Sequence, residues 1–299
     1  MSVANASPIL GKLESVRNLP TVPAVLIPLL EYMEQPVDKV DVHQVVNLIS
    51  QDKSLAGHCL QVANSALFGC SHQVETIQTA VVALGLERVQ QIAASCSLLK
   101  LMPDVSLGVN PSVFWAHSFG CALVSRDFAT KIGFADPAKA YAAGLLHDIG
   151  IVAILWVSPN EFRRCYEEAS HQRIPLHDAE EKVLGVTHCE TGKLIARNWR
   201  LPTELTEVVA SHHAPAKSAV NPVLTSIVCV SDLLCRLGGL GYGYAEDKQT
   251  KFAEQAAFAI LEKKYPALRP FDLARFAFDT EDLFDQVHAL VSHVYGNRP

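Results

Sequence analysis

The chain has 299 residues, 49% of them hydrophobic, which is enough for one large domain or two ordinary ones and excludes a disordered chain. Its net charge of −6 at pH 7 and pI near 6.0 exclude the basic surface of a general nucleic-acid binder. None of the eight cysteines forms a CxxC pair, which removes a thiolate zinc motif and a thioredoxin motif.

The cysteines sit among apolar residues, as buried thiols of a reducing compartment do. No basic segment followed by an apolar run opens the chain, so no signal peptide is expected and the protein is read as cytoplasmic.

In chain order the pattern is helical throughout, with no persistent strand alternation, so the expected class is all-α. Pro23 to Met33 carries an apolar stripe, with Pro28 expected to kink it. Val42, Val45, Val46 and Ile49 form the next stripe. Leu55, Cys59, Val62, Ala66 and Leu67 follow, placing Asn64-Ser65 inside a helix that ends near Gly69. Ile77 to Leu84 is a short helix broken at Gly85, and Val89, Ile92, Ala93, Cys96 and Leu99 share one face of another. These short helices lack basic residues where a DNA-reading helix would start, so they are not read as a helix-turn-helix.

Met102 to Pro111 is a turn-rich connector, and a boundary is placed between 108 and 109. Val113 to Ile132 is then a helix whose stripe of His117, Cys121, Val124 and Phe128 turns His117 inward. Ala142 to Val157 is almost wholly apolar, with His147-Asp148 at its centre. A helix apolar on every side is buried, and this one is short for a membrane span. Glu161 to Glu181 reads as a polar stretch in which His171 and His177 are solvated. His188, Gly192, Ile195 and Trp199 form a stripe, as do Leu205, Val208, Val209, His212 and His213. Leu224 to Leu237 is an apolar helix whose only acid is Asp232. Gly238 to Tyr244 is a glycine-rich break without the lysine of a phosphate loop, and a second boundary falls at 238–239. Helical segments around Phe252–Leu261 and Thr280–Val294 end the chain.

Taken alone, His147-Asp148 reads equally well as a metal-ligand pair or as a buried pair bonded to a neighbouring helix. The wider arrangement favours metal. His117, His147 with Asp148, His188, and His212 with His213 fall on the buried sides of four helices, and Asp232 on a fifth. Nitrogen and oxygen donors of this kind suit iron, manganese, zinc or nickel. Seven ligands exceed the usual six of one ion, so the natural division is two ions sharing a bridging carboxylate.

The order His, His-Asp, His, His-His, Asp resembles the HD superfamily of metal-dependent phosphohydrolases. The segment around His188 is similar to that of HD-GYP cyclic-di-GMP phosphodiesterases. Leu19-Pro20-Thr21-Val22-Pro23, Ile49 to Leu55 (ISQDKSL), Asn64-Ser65-Ala66 and Ile77 to Gly85 (IQTAVVALG) resemble the HDOD output domain of bacterial signalling proteins. The resemblance covers roughly residues 12 to 237. It implies an N-terminal helical bundle (1–108) packed on an HD-like metal-site bundle (109–238), with a C-terminal helical extension (239–299). It also implies that His117, His147, Asp148 and Asp232 hold one ion and His188, His212 and His213 the other, with Asp148 bridging. Iron or manganese is favoured.

Two functions follow from the resemblance. One is a regulatory module that works through other signalling proteins or a phosphate-bearing small ligand, without general nucleic-acid or membrane binding. The other is a metal-dependent phosphohydrolase acting on a nucleotide or other phosphate ester, with Asp148 and a metal-bound water as its catalytic pair. Two departures favour the first: Ile151 stands where active relatives carry lysine, and Ala214-Pro215 follows His212-His213 in place of a Gly-Tyr-Pro signature.

Overall fold

Six helices build the N-terminal part: α1 (Pro8–Ser15), α2 (Leu26–Met33), α3 (Val42–Ser50), α4 (Lys53–Ala63), α5 (Ile77–Leu84) and α6 (Leu86–Ser97). The structure is a computed structural model, and it describes residues 8–15, 20–70, 72–103, 110–246, 256–268 and 273–295. Leu19 of the first matched motif and the boundary at 108–109 lie outside these residues.

Side-chain caps set the starts of α3 and α4. Asp41 accepts from His43 N, and Asp52 accepts from Ser54 N and Leu55 N, satisfying amides with no partner inside the helix. Pro28 falls at the start of α2 and not inside a longer helix. The helix starts at Leu26, so Pro28 sits in the first turn, where its missing N–H costs nothing. Asn64 is not inside a helix either: α4 ends at Ala63 and Asn64 caps it. Its Nδ2 donates to Val74 O at 2.9 Å and its Oδ1 accepts from Val74 N at 2.8 Å. Asn64 therefore contacts another stretch of backbone from a turn.

Eleven further helices follow among the described residues. They are α7 (Pro111–Ile132), α8 (Pro137–Leu146), α9 (Ile149–Val157), α10 (Pro159–Gln172), α11 (Leu176–Leu184), α12 (His188–Asn198), α13 (Thr203–Ser211), α14 (Pro222–Leu237), α15 (Ala256–Lys264), α16 (Leu273–Asp279) and α17 (Glu281–Tyr295). The described residues contain no strand, and the fold is all-α. The long helix α7 is the axis of this part, packed against α8, α14 and α17, while α12 crosses α9. The N-terminal helices meet the later ones through α2 and α6 against α8 and through α1 against α9 and α12, and α17 touches both α7 and α4. Trp199 Nε1 donates to Pro20 O at 2.9 Å, tying the proline-rich entry segment to the end of α12.

Two stretches differ from their sequence reading. The apolar run from Ala142 is two helices, because regular helical bonding breaks at His147-Asp148. Ile151 N reaches back only three residues, to Asp148 O at 2.9 Å, which makes a tight turn. Apolar composition cannot reveal such a break when the helices on both sides are buried all round. The run also starts earlier than expected, so Pro137–Val157 is long and apolar enough to cross a membrane; 89% of its most apolar window is buried inside the fold. The polar stretch Glu161 to Glu181 forms most of α10 and α11. Phe162, Cys165 and Ala169 make a narrow buried stripe among its charges, too sparse to read as a helix signal.

Candidate metal centre

The structure brings all seven expected residues together. His117 comes from α7, His147 and Asp148 from the α8–α9 turn, His188 from the first position of α12, and Asp232 from α14. His212 and His213 follow the last turn of α13. All are buried except His213, which is half-buried. The close α9–α12 crossing is made by glycines. A Cβ on Gly150 would lie 1.8 Å from His188 O, and one on Gly192 would lie 2.6 Å from a methyl of Val209 and 3.2 Å from Gly150 N.

The two oxygens of Asp148 face different histidines. Oδ2 lies 3.3 Å from His117 Nε2 and 3.0 Å from His147 Nε2. Oδ1 lies 3.1 Å from His188 Nε2 and 3.3 Å from His212 Nε2. His117 Nε2 is also 3.3 Å from His147 Nε2 and 3.3 Å from Asp232 Oδ1. On the other side, His188 Nε2 lies 3.3 Å from His212 Nε2 and 3.0 Å from His213 Nε2. His213 approaches Asp232 only at 3.8 Å, through Nδ1.

The far ring nitrogens fix the imidazoles. His117 Nδ1 donates to Leu240 O at 2.6 Å, and His147 Nδ1 to Gly144 O at 2.7 Å. His188 Nδ1 donates to Glu180 Oε2 at 2.7 Å, and His212 Nδ1 lies 3.2 Å from the carbonyls of Val208 and Val209. Carbonyls and carboxylates only accept, so each Nδ1 carries hydrogen and each Nε2 faces inward, where it can bind a cation once it gives up any proton.

The electrostatics are those of a charged cluster shut away from water. Burial opposes a proton on His117, but its hydrogen bonds to Asp148 and Asp232 outweigh that and push it up to about 10. His212 is likewise opposed by burial and raised to about 10 beside Cys189 and Asp148, and His147 to about 9 beside Asp148 and Cys121. His188 also rises against burial, through Glu180 and Asp148. Burial and the neighbouring His212, His177 and His188 instead hold His213 well below the imidazole range. Burial opposes ionisation of the carboxyls, yet His147 and His188 keep Asp148, and Arg236 keeps Asp232, well below the carboxylate range. Without a cation, protons on the imidazoles balance the carboxylates.

These residues fit a metal. Donors around one ion at about 2.0–2.2 Å stand about 3.0–3.4 Å apart, which matches the spacings on both sides of Asp148. Asp148 Oδ1 is buried and makes no hydrogen bond of ordinary geometry, as expected of an oxygen shaped for a cation. Donor atoms gather as His117, His147 and Asp148 on one side, and His188, Cys189, His212 and His213 on the other.

Several residues at the centre had no clear sequence signal. Glu180, fully buried, accepts from both the backbone N and Nδ1 of His188. His177 is not a solvated surface residue: its ring stacks on His213 with centroids 4.0 Å apart. His171 is exposed, as expected. Tyr242 OH donates to Asp148 Oδ2, while Arg236 Nε lies 3.0 Å from Asp232 Oδ1 and Arg236 pairs with Glu246. Tyr242 and Glu246 belong to the segment after α14, which covers the cluster. The cavity left between it and the donors is about 10 Å³, about one water's worth of space.

The HDOD domain model matches residues 19–215, so Asp232, Arg236 and the covering segment lie beyond the match. The chain is similar to an HDOD domain protein of unknown function from Geobacter sulfurreducens, with 25% identity, a TM-score of 0.82 and 96% of each chain covered. It is similar in fold to a Shewanella amazonensis protein provisionally described as a phosphohydrolase, with 21% identity, a TM-score of 0.71, and 96% of this chain and 98% of that one covered. An uncharacterized protein of Treponema pallidum (strain Nichols) is 27% identical over 201 residues, 67% of this chain and 38% of that protein, so the chain spans less than half the length of this relative. With two-thirds of its length matched and the fold shared, the chain belongs to the HDOD domain family.

Proposed function

We propose that this protein is a signalling module of the HDOD family whose His and Asp cluster holds two divalent ions, iron or manganese being favoured, as a regulatory centre and not as a hydrolase. The observation that supports this most is the closure of the centre. Tyr242 occupies Asp148, Arg236 occupies Asp232, and the remaining cavity of about 10 Å³ has no room for a phosphate ester. His117, His147, Asp148 and Asp232 would hold one ion, and His188, His212 and His213 the other, with Asp148 shared. Ions at such a site would polarise a phosphoryl oxygen and lower the pKa of a bound water. The chain's own groups are poorly set for the rest of that chemistry. Arg236, the only Lys or Arg among the described residues that line the cavity, is already held by Asp232 and Glu246. Ile151, where active relatives resemble one another in carrying lysine, is fully buried. By analogy with the loss of one oxyanion-hole donor, a missing charged donor to a developing phosphoryl charge would cost about 10²–10³ in rate.

The module would act on other signalling proteins or bind a phosphate-bearing small ligand once the segment after α14 moves. The bridging geometry of Asp148 is the one feature that favours the hydrolase reading. The deciding experiment is hydrolysis of cyclic dinucleotides and nitrophenyl phosphates by iron- or manganese-loaded protein, beside Asp148→Asn. No turnover with metal retained is expected. Fast, saturable turnover lost in Asp148→Asn would make the protein an enzyme.

A further inference from the structure

Cys189, the second residue of α12, has no place on the apolar stripe of that helix. Consecutive helical residues project about 100° apart, so a stripe that turns His188 inward leaves its neighbour out. The cluster, however, lies beyond the open N-terminal end of α12, and side chains from different sides of a first turn reach a point on the axis. Sγ of Cys189 stands 3.8 Å from His212 Nδ1 and 4.0 Å from His212 Nε2. One donor atom from each of His188, Cys189, His212 and His213 lies within 4.8 Å of every other. The buried, unbonded Asp148 Oδ1 faces the same place, 3.1 Å from His188 Nε2.

We propose that Cys189 is a thiolate ligand at the His188, His212 and His213 side of the centre, so that the two metal positions are chemically unequal. This rests on the two-ion reading above. The His117 side offers two imidazoles and carboxylate oxygens, a set that suits manganese or ferrous iron. The Cys189 side offers three imidazoles and a sulfur, a softer set that selects zinc or ferrous iron and discriminates against manganese. As the sulfur–metal bond forms, the thiol proton leaves to solvent and no redox change occurs. The first turn of a helix favours the negative sulfur.

The test uses the full chain, stripped of metal and titrated with cobalt(II). Wild type is expected to show a thiolate-to-cobalt charge-transfer band in the near ultraviolet that saturates at one equivalent, with visible ligand-field bands continuing to two. Cys189→Ser and Cys189→Ala, checked for unchanged helical content, are expected to lose the charge-transfer band and keep cobalt. Zinc affinity at one of the two positions should fall by at least about tenfold, since even an outer-shell change costs that much, while manganese affinity holds. Cys59→Ser, a buried thiol on α4 outside the donor groups, is expected to keep the band. Cobalt bound without charge transfer, or a band that survives in both Cys189 variants, overturns the thiolate ligand and leaves the metal centre standing. No cobalt bound at all overturns both.

Discussion

The α-carbon of Gly150 packs against the carbonyl of His188, and a Cβ on it would come within 1.8 Å of that oxygen. The nearest atom is backbone, so no side-chain rotation relieves the clash, and α12 must move with His188 attached. Gly150→Ala is therefore expected to destabilise the fold by about 3 kcal/mol or more, the upper end of overpacking costs. Gly192→Ala first meets the tip of Val209, which can turn away, and should cost about 1–2 kcal/mol on the same basis. Urea unfolding measures both, and equal losses would remove the backbone clash as the cause.

Metal is expected to stabilise the folded chain by mass action, by about 4 kcal/mol at a thousandfold excess over Kd. Chelation should lower Tm accordingly. Asp148→Ala, which removes the oxygens that face both sides of the centre, should lose the ion on the His117 side, and its Tm should respond to chelator less than that of wild type. Identical melting of wild type in metal and in chelator would leave the cluster as a buried polar network only.

The apolar stripes made the helices and the inward histidines legible. A buried face is a property of spacing, and His117, His188 and Asp232 each share one with Leu, Ile or Val neighbours. Spacing failed where position is set otherwise. Glu180 lies on a short helix whose charges hide its one buried face. Cys189 reaches the centre past a helix end, and Tyr242 does so from a glycine-rich turn that has no period. The break at His147-Asp148 was hidden because α8 and α9 are buried on all sides.

Asp52 caps α4 through Ser54 N and Leu55 N and pairs with Lys100 at 3.2 Å. The backbone bond from Leu55, then Lys100, lowers its pKa from the usual aspartate value. A carboxyl lowered on folding contributes stability above its unfolded pKa and loses it as pH falls through the folded one. Asp52→Ala should thus cost about 0.5–2 kcal/mol at neutral pH, and the gap to wild type should narrow below the usual aspartate range. Denaturant melts at several pH values would show this; a gap that widens on acidification contradicts the assignment.

Tyr242 OH is spent on Asp148 Oδ2, the oxygen that faces His117 and His147. A hydrogen bond to a charged acceptor is worth about 1.5–3 kcal/mol, and metal must displace it or share the oxygen. Tyr242→Phe is therefore expected to bind manganese about tenfold more tightly, or more, and to take it up faster. Calorimetric titration of the apo protein checks this, and unchanged or weaker binding would show that the phenol supports the loaded site instead.

Glu180 separates charge from position at His188. Its Oε2 accepts from both the backbone N and Nδ1 of His188, at 2.7 Å each, while Oε1 is buried without a hydrogen-bond partner. Glu180→Gln can turn its amide oxygen toward both donors and keep the ring in place, but it removes the charge that makes His188 a stronger donor to a cation. Metal affinity should fall about 10–100-fold, the usual effect of losing an outer-shell partner. Its NH2 takes the place of the unbonded Oε1 with no acceptor there, so the substitution should cost about 1–3 kcal/mol of stability, less than Glu180→Ala. Glu180→Ala removes the acceptor altogether. It leaves two buried N–H groups without partners, each costing about 1–3 kcal/mol, and frees the ring to rotate. That variant should therefore lose more stability as well as metal. Binding titrations and thermal melts on the two variants separate the cases. If Glu180→Gln binds metal like wild type while Glu180→Ala does not, Glu180 only positions the ring. If both bind like wild type, His188 is not held toward a metal by this carboxylate at all.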